Sequence, residues 1–132
     1  MEQARIRLGG VHAWVELLRT GEGNWRVTAD LYSSLTADFP AYLDDDEVAD
    51  FAARMRSGLR APTGARFSAR VTPGRNNPLT LDAEPVEDGF AFFVFLTPNG
   101  DDTVCHLQME LDPVDAAELG DLFAALQGSL AR

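Results

Sequence analysis

Apolar and polar residues alternate from the start of the chain. Ile6 and Leu8 stand against Arg5 and Arg7, and Val11, Ala13, Val15 and Leu17 stand against His12, Trp14 and Glu16. A period of two marks a strand with one buried face, so two strands are expected here, turning at Gly9 and Gly10. The segment Thr20-Gly21-Glu22-Gly23-Asn24 has hairpin chemistry, and a third strand follows with Trp25, Val27, Ala29 and Leu31 on one face. The three predict an antiparallel meander. Leu35, Ala37 and Phe39 alternate in turn, but Pro40 lacks a ladder donor and limits the stretch from Leu35 to Tyr42 to a short edge strand at best. The period then changes: Val48, Phe51, Ala52, Met55 and Leu59 recur at helical spacing. Asp44 precedes them as N-cap, Glu47 sits three residues on, and Asp45 and Asp46 place negative charge at the positive end of the helix dipole. Each large side chain of the stripe contributes roughly 1.5–3 kcal/mol on burial, enough to hold the helix on a sheet. Gly58 and Pro62 predict its end.

The second half repeats this order. Phe67, Ala69 and Val71 begin it, the run Pro73-Gly74-Arg75-Asn76-Asn77-Pro78 turns the chain, and Leu79 and Leu81 open the next strand. After the turn Glu87-Asp88-Gly89, residues Phe90 to Leu96 are apolar on both phases, the pattern of a central strand covered on both sides. A strand from Val104 to Leu111 turns Cys105, Leu107, Met109 and Leu111 one way and His106, Gln108 and Glu110 the other. Asp112 as N-cap, Pro113 at the first helical position and Asp115 in the first turn predict a closing helix with Leu119, Leu122, Phe123, Leu126 and Leu130 on its apolar face. The halves thus share an order of strands and then a helix, introduced by Leu43-Asp44 or Leu111-Asp112, with a large apolar residue at Phe51 or Leu119. A diverged duplication and shared capping chemistry both account for this. The expected fold is α+β over a single domain, residues 1–132. It is a mainly antiparallel twisted sheet of about seven or eight strands with two helices, in the order β-β-β-(β)-α-β-β-β-β-α.

Composition narrows the class. Apolar residues are 45% and aromatics 9% of the chain, enough for a folded core. The longest apolar run, Phe90 to Leu96, falls far short of the ~20 residues that cross a bilayer. The opening Met-Glu-Gln-Ala-Arg lacks the layout of a secretory signal, and the one cysteine has no internal partner, so a cytoplasmic location is expected. All 11 basic residues are arginine, a bias of the kind a GC-rich genome produces. The net charge of −10 repels phosphate, which excludes ordinary nucleic-acid and anionic-membrane partners and permits a basic protein.

No catalytic constellation emerges. Nucleophilic catalysis would pair Cys105 or a serine with a histidine, yet strand neighbours project to opposite faces, which places the Cys105 thiol in the core and the His106 imidazole outside. A metal site would need His12 and His106 on adjacent strands beside Glu16 or Glu110. The run Asp44-Asp45-Asp46-Glu47 lacks the alternating ligands and central glycine of a calcium loop and is explained by capping. Gly9-Gly10 and Gly21-Glu22-Gly23 lead into no lysine-bearing helix and cradle no phosphate. No catalytic residue, cofactor or metal is therefore expected. The candidate protein-binding residues are Asp44, Asp45, Asp46 and Glu47, the loop acids Asp101 and Asp102, and Trp14, Arg26 and Tyr32 on the outer phase of the first meander with His12, Glu16, Thr28 and Asp30.

The Gly23-Asn24-Trp25 opening of the third strand, the acid-capped helix from Leu43 to Leu59 and the terminal strand and helix from Leu107 to Leu126 carry a resemblance that spans nearly the whole chain. In these features the sequence resembles the WapI-type immunity proteins of bacterial polymorphic toxin systems and related actinobacterial families. The resemblance implies a non-enzymatic cytoplasmic protein that binds and blocks a toxin nuclease, and it carries over no site residue. An acidic inhibitor suits a basic toxin, whose phosphate-binding cleft it could cover. Two further classes stay open on the residues alone. One is a small-molecule-binding or enzymatic domain with a pocket between sheet and helix around Trp14, Tyr32 and His106. The other is a structural protein that forms a homodimer.

Overall fold

The structure is a computed structural model that describes residues 4–61, 64–73, 76–100 and 104–131. Nine strands and two helices follow one another along these residues. In the first half, β1 (Arg5–Gly9), β2 (Ala13–Gly21), β3 (Asn24–Leu31) and β4 (Leu35–Ala41) form an antiparallel meander in sequence order, and α1 (Asp45–Leu59) follows. In the second half, β5 (Phe67–Arg70), β6 (Leu79–Val86), β7 (Gly89–Leu96) and β8 (Leu107–Glu110) form another. There β9 (Val114–Asp115) also pairs with β7 before α2 (Ala116–Leu130) closes the chain. The class is α+β, as expected. One sheet of seven or eight strands was expected, and two sheets, of four and five strands, are found.

Strand alternation decides which side of each sheet is buried. In the first sheet Ile6 pairs with Leu17 and Leu17 with Val27, and Val27 with Phe39, so one face is apolar across all four strands. In the second, Ala69, Leu81, Val94 and Met109 align the same way. Both faces join one buried cluster with Val48, Phe51, Ala52 and Met55 of α1 and Leu119, Phe123 and Leu126 of α2. The helices meet at the edge-to-face rings of Phe51 and Phe123, whose centroids lie 6.1 Å apart, a favoured aromatic geometry. Among the described residues no helix is long and apolar enough to cross a membrane.

Several local readings hold. Asp44 and Glu47 form a capping box, with the Asp44 amide donating to Glu47 Oε1 at 2.9 Å. The hairpins at Glu22-Gly23 and Glu87-Asp88 fall where turn chemistry placed them. β4 is an edge strand, where Pro40 is tolerated, and it extends over seven residues with the short 3-10 turn Pro98–Gly100 packed against it.

Other readings are corrected. Val11 is 83% exposed in the connection before β2, because β2 starts only at Ala13. Gly58 lies inside α1 rather than ending it, and a Cβ there would sit 2.4 Å from the Phe67 ring, so glycine lets β5 approach the helix. Pro62 lies outside the described residues. Cys105 is exposed: the ladder of β8 begins at Leu107, and alternation continued the strand pattern beyond the last paired residue. β7 is central in its sheet, but among the described residues the helices pack on one of its faces alone. Its outward Phe93 and Phe95 are half-buried, beneath the Arg66 guanidinium 5.5 Å from the Phe93 ring and a His106 ring stacked 6.0 Å from Phe95. Arg66 forks to Asp82 through bonds of 2.9 and 2.8 Å, and this hydrogen bonding, with the carboxylate charge, raises its pKa further.

The second helix starts later than expected. Asp115, not Asp112, is the N-cap, accepting from the amides of Ala117 and Glu118 at 3.0 and 3.2 Å. Pairing explains the delay: Val114 is buried opposite Phe90, and the Leu111 amide still donates to Phe92 at 2.9 Å, so the chain stays extended through residue 115. The correspondence of Leu43-Asp44 with Leu111-Asp112 lapses accordingly, although each half remains a meander followed by a helix.

Two substitutions test these assignments in urea unfolding. Asp115→Ala is expected to lower stability by about 1 kcal/mol, the usual loss for an N-cap, with Asp112→Ala far milder. Gly58→Ala, which in a free helix would gain about 1 kcal/mol, is instead expected to destabilise by roughly 1–3 kcal/mol through the clash with Phe67.

Candidate functional site

The acidic run at the start of α1 is largely occupied. Asp44 and Glu47 cap the helix, and Asp45 Oδ1 accepts from Arg19 Nε at 2.9 Å. Asp46 alone of the four is an exposed carboxylate without a partner among the described residues. Asp101 and Asp102 lie outside the described residues.

Both helices pack on the inner face of the first sheet, and among the described residues no helix covers its outer face. Trp14 is half-buried there beneath a side chain from the next strand: the Arg7 guanidinium lies 3.9 Å from its ring centroid. Such a cation–π contact contributes about 0.5–1 kcal/mol at an exposed site. Arg26 pairs with Asp38 across β3 and β4. Trp14 and Arg26 therefore already have partners within the sheet.

Tyr32 is different. It occupies the β3–β4 turn, where Tyr32 and Ser33 have φ of 52° and 60° and the Ser34 amide donates to the Leu31 carbonyl at 2.9 Å. Two consecutive left-handed residues closed by that bond, within a three-residue loop between the paired Leu31 and Leu35, make a tight turn of a kind that favours Asn and Gly. Left-handed backbone costs a residue with a Cβ roughly 1–2 kcal/mol. Three local contacts offset this. Ser33 N–H donates to Asp30 Oδ2 at 3.1 Å, Tyr32 N–H donates to the His12 carbonyl at 2.6 Å, and the Tyr32 and His12 rings stack at 5.3 Å with planes 6° apart. The result is a tyrosine 61% exposed on a fixed turn.

That turn borders a groove of about 450 Å³, lined by Ala13, Leu31 and Tyr32 from the first sheet and by residues 108–113 from the second. Glu110 and Asp112 bring two carboxylates to it, and neither makes a hydrogen bond or ion pair with a described residue. Asp112 reaches this position because Gly10 leaves room: a Cβ on Gly10 would lie 2.4 Å from Asp112 Oδ2.

The sequence pattern marks Tyr32 together with His12 on the outer phase of the meander, and it marks Glu110 as a partner for a histidine metal site, but it does not join Glu110 or Asp112 to Tyr32. Its local pattern reads Asp112 as a helix cap. The approach of both carboxylates to Tyr32 depends on how the two sheets meet. Trp14, Tyr32 and His106, the suggested pocket, are not brought together. Trp14 lies on the outer sheet face, Tyr32 lines this groove, and His106 lines a separate cavity of about 500 Å³ with Arg70, Asn77, Thr80, Phe95 and Thr97. His12 stacks on Tyr32 and His106 on Phe95. Among the described residues no group of three or more His, Cys, Asp or Glu side chains is placed to hold a metal ion.

Compared with known proteins, the chain matches no protein-family model and no curated protein.

The strain at the turn is measurable without its function. Ser33→Gly removes the Cβ from a left-handed position while leaving the Tyr32 ring in place. It is expected to raise stability by about 0.5–1 kcal/mol in urea unfolding, after the extra freedom of glycine in the unfolded chain is subtracted. A loss of stability would show that the turn is not held in this conformation.

Proposed function

We propose that the chain is a non-enzymatic, cytoplasmic protein-binding module that binds and blocks a basic bacterial toxin, the role implied by its resemblance to WapI-type immunity proteins. The observation that carries this reading is the Tyr32 turn. A hairpin that needed only to reverse the chain would be better served by Asn-Gly, so a strained, exposed tyrosine points to work done by its ring. Exposed tyrosine on rigid backbone is a favoured anchor of protein interfaces, since it adds much contact area and loses little rotamer freedom.

Electrostatics supports the same reading. Each of the four ion pairs among the described residues matches one arginine with one aspartate and leaves the net charge of −10 unchanged. The excess therefore resides on carboxylates outside these pairs, among them Asp46, Glu110 and Asp112, which have no partner among the described residues. An acidic surface of this kind speeds association with a basic partner and makes the rate fall with salt.

The test uses the product of a toxin-like gene adjacent to this one. The expected result is a 1:1 complex whose association slows at least tenfold between low and high salt, together with survival of cells expressing both proteins. Asp46→Arg is expected to weaken the complex at a stability loss below about 1 kcal/mol, the scale of a lost helix-dipole contact. Absence of both complex and protection would overturn the proposal.

A further inference from the structure

The lining of the groove beside Tyr32 restricts what can occupy it. Leu31 and Met109 supply apolar surface, Tyr32 supplies an aromatic ring, and Glu110 and Asp112 supply two negative charges without partners among the described residues. A purely apolar segment would bury those carboxylates unpaired, which is strongly unfavourable. A calcium ion takes roughly six to eight oxygen ligands, and the groove brings it two carboxylates. The remaining class is an organic cation with an aliphatic stem. At about 450 Å³ the groove admits a whole side chain with water around it.

We infer that this groove receives an arginine side chain from the basic protein partner, an inference that rests on the function proposed above. Charge complementarity selects a cation, since the groove is negative on a chain of net charge −10. The choice of arginine over lysine follows from the other two features. A guanidinium is planar, so it lies flat on a tyrosine ring while its N–H groups fork to carboxylate oxygens, and its weaker hydration favours removal from water. An ammonium offers a point charge with no flat face. The three methylenes of arginine cover Leu31 and Met109 as the head reaches Glu110 and Asp112.

Amide-resolved NMR titration of the full chain with N-acetyl-arginine amide tests this, with N-acetyl-citrulline amide as the neutral probe of nearly the same shape. The arginine probe is expected to shift the amides of Tyr32, Glu110, Asp112 and their neighbours, and to bind roughly tenfold more tightly than citrulline. Glu110→Gln combined with Asp112→Asn is expected to reduce arginine binding to the citrulline level. Glu118→Gln with Asp121→Asn, which removes the same charge from exposed positions of α2, is expected to leave it unchanged. Tyr32→Leu, with its spectrum reporting an intact fold, is expected to weaken binding several-fold. Equal response to both probes, or equal weakening by the two charge-removing pairs, would overturn the inference and leave the toxin-binding reading standing. Selective arginine binding by a chain that neutralises no toxin would support the groove and overturn the proposed function.

Discussion

Each antiparallel meander can bury one face against the helices, and the two faces meet over a single helix pair whose Phe51 and Phe123 rings touch edge to face. The rest of the molecule depends on that shared burial. It orients both sheets, so that Trp14, Arg26, Phe93 and Phe95 are turned outward. It also brings the β3–β4 turn of one sheet beside the residues that follow β8 in the other. Each large side chain in the cluster contributes roughly 1.5–3 kcal/mol, while a surface ion pair such as Arg26–Asp38 contributes at most about 1 kcal/mol. Apolar packing therefore decides the arrangement, and charge acts on a surface already in place.

The outward faces show how antiparallel sheets with exposed aromatics remain compatible with water. Trp14 and Phe93 lie beneath arginine guanidinium groups, and Phe95 beneath the imidazole of His106. Amphipathic side chains cover the apolar rings while presenting polar ends to solvent. The outer face of each sheet consequently keeps its aromatics partly covered without a second layer of helices. Tyr32, stacked on His12, is largely exposed, as is Tyr42, and of these two tyrosines it is Tyr32 whose backbone is held in the left-handed region, together with Ser33. Strain and exposure coincide beside two carboxylates that lack partners among the described residues.

The candidate residues divided according to how local their environment is. The acidic run at Asp44 was legible because capping involves residues three positions apart, and the Asp44–Glu47 box is made by the chain itself. Cys105 was not, because alternation records which way a residue would point within a strand but not where pairing starts, and β8 starts at Leu107. Asp112 carried every local sign of a helix cap. What moved the cap to Asp115 was the pairing of Val114 with Phe90, a contact with another strand that no local pattern contains.

Periodicity, turn chemistry and charge act between near neighbours, and from them alone come the α+β class, the order of the elements apart from β9, most of the buried stripe in each and the acidity of the surface. Only contacts between distant segments make two sheets rather than one, set both described helices on their inner faces, and put Tyr32 in a groove with Glu110 and Asp112. These depend on burial between segments far apart in the chain. Such burial is nearly non-directional, so its outcome is set by how whole apolar faces fit together.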